Sequence, residues 1–255
     1  MFRDFTLEMY ENLCQSLINN NFVSTTVVEY LQNASESSKK RVVLRHDVDK
    51  LPNNALRMGN LEHKLDMKST FYFRVSTFNE DIVTKLHALG HEIGYHYEVL
   101  AKNNGDKKKA IGQFKLELDK FRKIVPIETI CMHGSPLSRW KDSDLWDKYK
   151  LEDYQIKGEA FLSLDYQRIN YFTDTGRSWA GQNYNVRDEV EGGESFPKIK
   201  YTPDLINFLN DFKKDISINT HPQRWNSSNI RWLMELLGQN LKNIGKRYIL
   251  KRNRS

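Results

Sequence analysis

The residues able to do polar chemistry in this 255-residue chain gather where apolar runs end. Val42-Val43-Leu44 leads into Arg45-His46-Asp47-Val48-Asp49, and a second run ends near Arg74. Further along come Gly94-Tyr95-His96-Tyr97-Glu98, Cys131-Met132-His133, Thr173-Asp174 and Asn219-Thr220-His221. Asp47 and Asp49 stand two residues apart, as do His96 and Glu98, so in an extended strand each pair faces one side. Two carboxylates held close repel unless a cation or an arginine neutralises them, or one keeps its proton. Imidazole combined with carboxylate suits a divalent ion, with zinc or another first-row metal expected. Each histidine also has an ordinary reading. His46 has the opposite parity to Asp47 and is expected to be a structural hydrogen-bonding residue. His91 begins its run and reads as structural, and His63 and His87 fall on helices as surface or packing residues. The joint placement of Asp, His, His and His on successive strand ends is what points to a site.

The elements that must position these groups follow from periodicity. Strands are expected at Arg41–Asp47, Ser69–Val75, His91–Tyr97, Glu128–His133, Glu159–Leu164, Asn170–Thr173 and Asp215–His221, where β-branched and aromatic residues cluster. Between them run amphipathic helices. Asn53 or Asn54 is placed to cap one carrying Ala55, Met58, Leu61 and Leu65, and Asn79 to cap one that stops at Gly90. Ile111, Phe114, Leu118 and Phe121 share another helix face. Thr202-Pro203 starts a helix, and Ile230, Leu233, Leu237 and Leu241 mark the last. The alternation predicts an α/β fold with a mostly parallel sheet, closed as a barrel or open and doubly wound. Reacting groups then belong at the carboxyl ends of the strands. Residues 1–40 read as an N-terminal helical extension and 41–255 as the barrel-type domain. The polar stretch Gly181–Lys200 reads as a long loop able to cover a site.

Bulk properties narrow the class. Hydrophobic residues make up 39% of the chain and charged ones 28%, which fits a globular protein with one core. Cys14 and Cys131 are far apart and lack metal-type spacing, so no disulfide framework or cysteine-based zinc site is expected. No apolar run reaches membrane-spanning length and the first residues lack a signal-peptide pattern, so a cytoplasmic protein with no membrane span is expected. The net charge of +6 is concentrated at the C-terminus and at Lys107–Lys109. No nucleic-acid recognition motif accompanies it, so no nucleic-acid partner is expected.

At these residues the chain resembles the polysaccharide deacetylase superfamily, carbohydrate esterase family 4, whose fold is a distorted (β/α) barrel. Val43-Leu44-Arg45-His46-Asp47-Val48-Asp49 is similar to the family's first motif, Ser69-Thr70-Phe71-Tyr72-Phe73 to its second strand, and Gly90-His91-Glu92-Ile93-Gly94-Tyr95-His96 to the stretch that delivers a metal-binding histidine. Thr220-His221-Pro222 sits where the family has its late histidine. There are departures. Val48 separates aspartates that are usually adjacent, Leu100 stands where a second histidine is usual, and Met132-His133-Gly134-Ser135-Pro136 replaces an arginine-proline motif. The resemblance implies a carbohydrate substrate, a divalent metal such as zinc held by Asp49 and His96 with either Glu98 or His133, Asp47 as general base, and His221 as proton donor or oxyanion partner. Arg74, Asp174, Arg177, Trp179 and Trp225 are expected at the substrate. A divergent branch linked to surface-polysaccharide biosynthesis is one expectation; a non-catalytic carbohydrate-binding protein on the same scaffold is the alternative.

Overall fold

In chain order the strands are Val23–Thr25 (β1), Arg41–Val48 (β2), Thr70–Phe73 (β3), Glu92–Tyr97 (β4), Thr129–Met132 (β5), Gly158–Glu159 (β6), Ile169–Thr173 (β7) and Asp215–Thr220 (β8). They come from a computed structural model that describes residues 3–33, 39–135, 138–179, 196 and 198–253, with only the backbone described from 245 onward. The helices are Leu7–Asn19 (α1), Val27–Gln32 (α2), Pro52–Lys64 (α3), Glu80–Ala88 (α4), Val99–Lys102 (α5), Lys107–Arg122 (α6), Thr202–Leu209 (α7) and Asn229–Asn253 (α8). All pairings in the sheet are parallel, in the order β6-β5-β4-β3-β2-β8-β7, with β1 added beside the start of β2. Every carboxyl end therefore points the same way, and the helices between strands are the crossovers that parallel pairing requires.

Strand alternation sorts the side chains into two layers. Val42, Leu44, Phe71, Phe73, Ile93, Tyr95, Ile130, Ile216 and Ile218 face outward and are buried beneath the helices. Val43, Tyr72 and Cys131 face inward, with Leu164 and Tyr166. The sheet curls around this inner layer. Arg45, on central β2, places its guanidinium 4.6 Å from the ring of Phe161 just past β6 and 5.9 Å from that of Tyr171 on β7. A flat sheet would hold these positions several strands apart. The result is a single α/β domain whose parallel sheet is a half-barrel, as expected of a distorted (β/α) barrel. Gly94 is needed there for space: a Cβ on it would lie 2.2 Å from the Tyr72 ring and 3.0 Å from the Thr129 carbonyl.

Local chemistry explains where the sequence expectations shift. The anticipated strand Glu159–Leu164 stops at Glu159, because that carboxylate accepts the N–H groups of Phe161 and Leu162 and folds the chain into a turn. α3 begins at Pro52 behind Leu51 in a left-handed conformation (φ 53°), without a side-chain cap. Asn54 instead donates to the Pro222 carbonyl and to Asn226. Asn79 does cap α4, accepting the N–H of Ile82. The first forty residues contribute more than helices: β1, three residues long, is too short to show alternation in sequence. Tyr10, Leu13 and Leu17 of α1 pack in one core with Phe172, Leu205 and Ile216. Of the expected covering loop, residues 181–195 and 197, with Glu191-Gly192-Gly193-Glu194, lie outside the described residues.

Candidate metal centre

The carboxyl ends of five strands converge on one cleft. β2 delivers Asp47, and a turn in which the Asp49 N–H donates to the Asp47 carbonyl returns Asp49 to the same side. β4 delivers His96 and then Glu98, β5 leads to His133, β7 to Asp174, and β8 to Asn219 and His221. Asp49 is the meeting point. Its Oδ1 lies 3.5 Å from Nε2 of His96 and 3.5 Å from Nε2 of His133. Its Oδ2 lies 4.0 Å from Nε2 of His221 and accepts from Gln223 Nε2 at 3.3 Å.

Each of the two Asp49–imidazole separations matches the spacing of neighbouring ligands on one cation. Ligand atoms each about 2.1 Å from one tetrahedral ion lie about 3.4 Å from one another. Asp49 Oδ1 is buried yet has no hydrogen-bond partner among the described residues, a costly state for a carboxylate oxygen unless a positive charge meets it. The imidazoles are oriented from behind. His96 Nδ1 lies 2.9 Å from the Cys131 carbonyl, which fixes a proton on Nδ1 and leaves Nε2 as the ligand atom. Burial opposes ionisation of Asp49, but the His96, His221 and His133 imidazoles around it hold its carboxyl far below the usual range. Burial likewise opposes charge on His96, and Asp47 and Asp49 outweigh it, raising that imidazole.

A second grouping shares His96: ligand atoms of Asp47, His96 and Cys131 lie within 4.8 Å of one another. It is the poorer cation site. All three residues are buried, and Asp47 already has its counter-charge, with Oδ2 accepting from Arg45 Nη2 at 3.2 Å and Asn219 Nδ2 at 2.9 Å. A divalent ion there would sit beside the Arg45 guanidinium, whereas Asp49 opens to the cleft with 20% of its side chain exposed. Asp47 Oδ1 is buried without a partner among the described residues. Burial raises its carboxyl, but Arg45, with His96 and His221, outweighs this and brings it below the usual carboxylate range.

The remaining sequence-predicted residues divide. Glu98 approaches His133 Nδ1 at 3.4 Å and pairs with Arg74 at 2.7 Å and Lys102 at 2.8 Å, so it stands behind the imidazole. Leu100, where the resembled family has its second histidine, points into the core. Asp174 fixes His221: Oδ1 lies 2.6 Å from Nδ1 and Oδ2 accepts the His221 N–H at 2.9 Å. Asp174 also takes bonds from Arg224 and from Trp225 Nε1. Burial would push its carboxyl up, but Arg224 and His221 bring it down to about 2. Three expected substrate contacts stand elsewhere. Trp179 and Trp225 are buried against each other and Phe5, at 3% and 2% exposure, because their rings complete the apolar core beneath α1. Arg177 lies over Phe5 and Trp232 and donates to the carbonyls of Asp4 and Arg224. His46 and His91 are structural as expected, joined through Glu62 and Ser69 on the outer face of the sheet. Arg45, Asn219, Gln223 and Arg224 were not anticipated in their contacts. Strand parity with Asp47 and His221 was the signal for Arg45 and Asn219.

No family model matches the chain, and no curated protein does. Among solved structures it is similar to a CE4 esterase from Streptococcus mutans, with 14% identity over 93% of this chain and 90% of that one and a TM-score of 0.44. It is also similar to a CE4 family pseudoenzyme from Bacillus anthracis, with 15% identity over 83% of this chain and 64% of that one and a TM-score of 0.44. A mutant of that pseudoenzyme with restored enzymatic activity gives 14% identity over 82% and 65% and a TM-score of 0.43. Identities this low leave the chemistry to be read from the side chains themselves.

Proposed function

We propose that the protein is a metal-dependent hydrolase that removes an acyl group, an N-acetyl group in the simplest case, from a carbohydrate. The observation that carries this reading is the pair of imidazole Nε2 atoms at 3.5 Å from the unpartnered Asp49 Oδ1. Asp49, His96 and His133 are the ligands, and zinc is the ion their chemistry suits best. When bound, such an ion polarises an acyl carbonyl and lowers the pKa of water. Asp47 accepts a proton at Oδ1, the oxygen left free while Arg45 and Asn219 hold Oδ2. A carboxylate held as ionised as Asp47 is a weak base, so it needs an acidified water, and the cation is complementary to it on that account. Asp174 keeps a proton on Nδ1 of His221 and aims Nε2 into the cleft, where the imidazolium form gives its Nε2 proton to the departing nitrogen and is left as the neutral Nδ1–H ring. The motif resemblance at residues 43–49 and 90–96 supports a carbohydrate as the substrate.

The test is acetate release from N-acetylated oligosaccharides by the metal-loaded protein. Release that is lost with a chelator, restored by zinc, and lowered about 100-fold or more by Asp47→Asn is expected. Saturable oligosaccharide binding by the metal-loaded protein without any acid release would contradict hydrolysis and identify a binding protein.

A further inference from the structure

α8 sits on the domain the wrong way round for an ordinary amphipathic helix. Its buried side is polar: Asn243 donates to the Gly176 carbonyl at 2.9 Å, Gln239 donates to Asn243 at 2.8 Å, and Trp232 Nε1 donates to the Asp4 carbonyl at 2.5 Å. Its outward side is apolar. Ile230, Leu233, Met234, Leu237, Leu241 and Ile244 are exposed by 50% to 74%. At 3.6 residues per turn these positions fall within an arc of about 100°, one continuous stripe. Scattered exposed leucines are ordinary, but a contiguous apolar stripe on a helix pinned by its polar face marks a contact surface.

Charge identifies the partner. Residues 229–255 hold seven lysines and arginines and one acid, Glu235, so this segment alone accounts for the whole chain's net charge of +6. Arg231 and Lys242 are exposed along one side of the stripe. Pairing with a second copy would bring two such basic segments together, like charge against like. An anionic lipid surface satisfies both features, taking the apolar stripe into the headgroup boundary and the basic residues against its phosphates. We propose that α8 docks the protein on the surface of an anionic bilayer. Docking is peripheral: no helix among the described residues is long and apolar enough to cross a membrane.

Cosedimentation of the full chain with vesicles tests this. The vesicles are pure phosphatidylcholine, or phosphatidylcholine with about a third phosphatidylserine. Binding is expected to the anionic vesicles, weaker by about tenfold on the neutral ones, reduced by high salt, and lost in Leu237→Glu/Leu241→Glu. Both positions are exposed, so the variant's thermal unfolding should match the parent; Met234→Gln/Leu237→Gln makes the same test should it not. Failure to bind either vesicle, or binding kept by the folded double variant, overturns the proposal. So does a monomer–dimer exchange abolished by the same substitutions, which would assign the stripe to a second copy.

Discussion

Among single residues, the proposed chemistry rests on Asp49 and His133, with Glu98 behind the His133 ring. The sequence leaves Glu98 and His133 open as third ligand because both follow strand ends and both have suitable donors. Geometry separates them: His133 turns Nε2 toward Asp49, while Glu98 is engaged by Arg74 and Lys102 and faces the other nitrogen of the same ring. His133→Ala should therefore abolish tight zinc binding, whereas Glu98→Gln, which keeps an acceptor behind Nδ1, should weaken it by about 10- to 100-fold. Calorimetric titration of the apoprotein checks this, and equal losses in the two variants would count against it. Their joint position at successive strand ends made Asp47, Asp49, His96 and His221 legible as neighbours in one cleft. The tryptophans were not legible, because an indole in a polar stretch reads the same whether it meets a sugar or, like Trp225, fills the core and donates to Asp174.

Elements were legible where they are long. β2, β4, β8 and α6 carry enough residues for a period to show, and Asn79 announces α4 by its capping chemistry. The three-residue β1 and the four-residue α5 do not. α5 depends on a distant residue that no local pattern reveals: Asp142 Oδ1 accepts the N–H groups of Leu100 at 2.7 Å and Ala101 at 3.0 Å. Burial pushes the Asp142 carboxyl up to about 6, against the opposing pull of those two N–H groups. The folded state thus holds a proton that the unfolded chain releases from about pH 4 upward. This contribution is complete below the unfolded value and is lost as pH rises through about 6, a change of about 2 to 3 kcal/mol. Asn at this position keeps the capping oxygen without the titration. Urea unfolding should show Asp142→Asn gaining about 2 kcal/mol on the parent between about pH 4 and pH 7. A constant difference across that range would refute the assignment.

At the scale of the whole molecule, the curl of the sheet is what assembles the site, and it was only partly legible. Alternation implied a parallel sheet, but its closure depends on inner-layer packing among Arg45, Tyr72, Phe161, Tyr166 and Tyr171, which are far apart in sequence. Arg45 is fully buried, and removing it strands Asp47 without its counter-charge. Arg45→Met should cost about 3 to 5 kcal/mol in urea unfolding, and Arg45→Met/Asp47→Asn should recover a large part of that loss. No recovery would mean that the guanidinium acts through packing alone. The claim on which the proposed chemistry rests is that Asp49, His96 and His133 grip one cation. Anomalous scattering from crystals grown with zinc tests it most directly. A single peak within about 2.3 Å of Asp49 Oδ1 and of both Nε2 atoms is the predicted result. A peak bonded to Cys131 and Asp47, or zinc bound only on the outer surface, would contradict it.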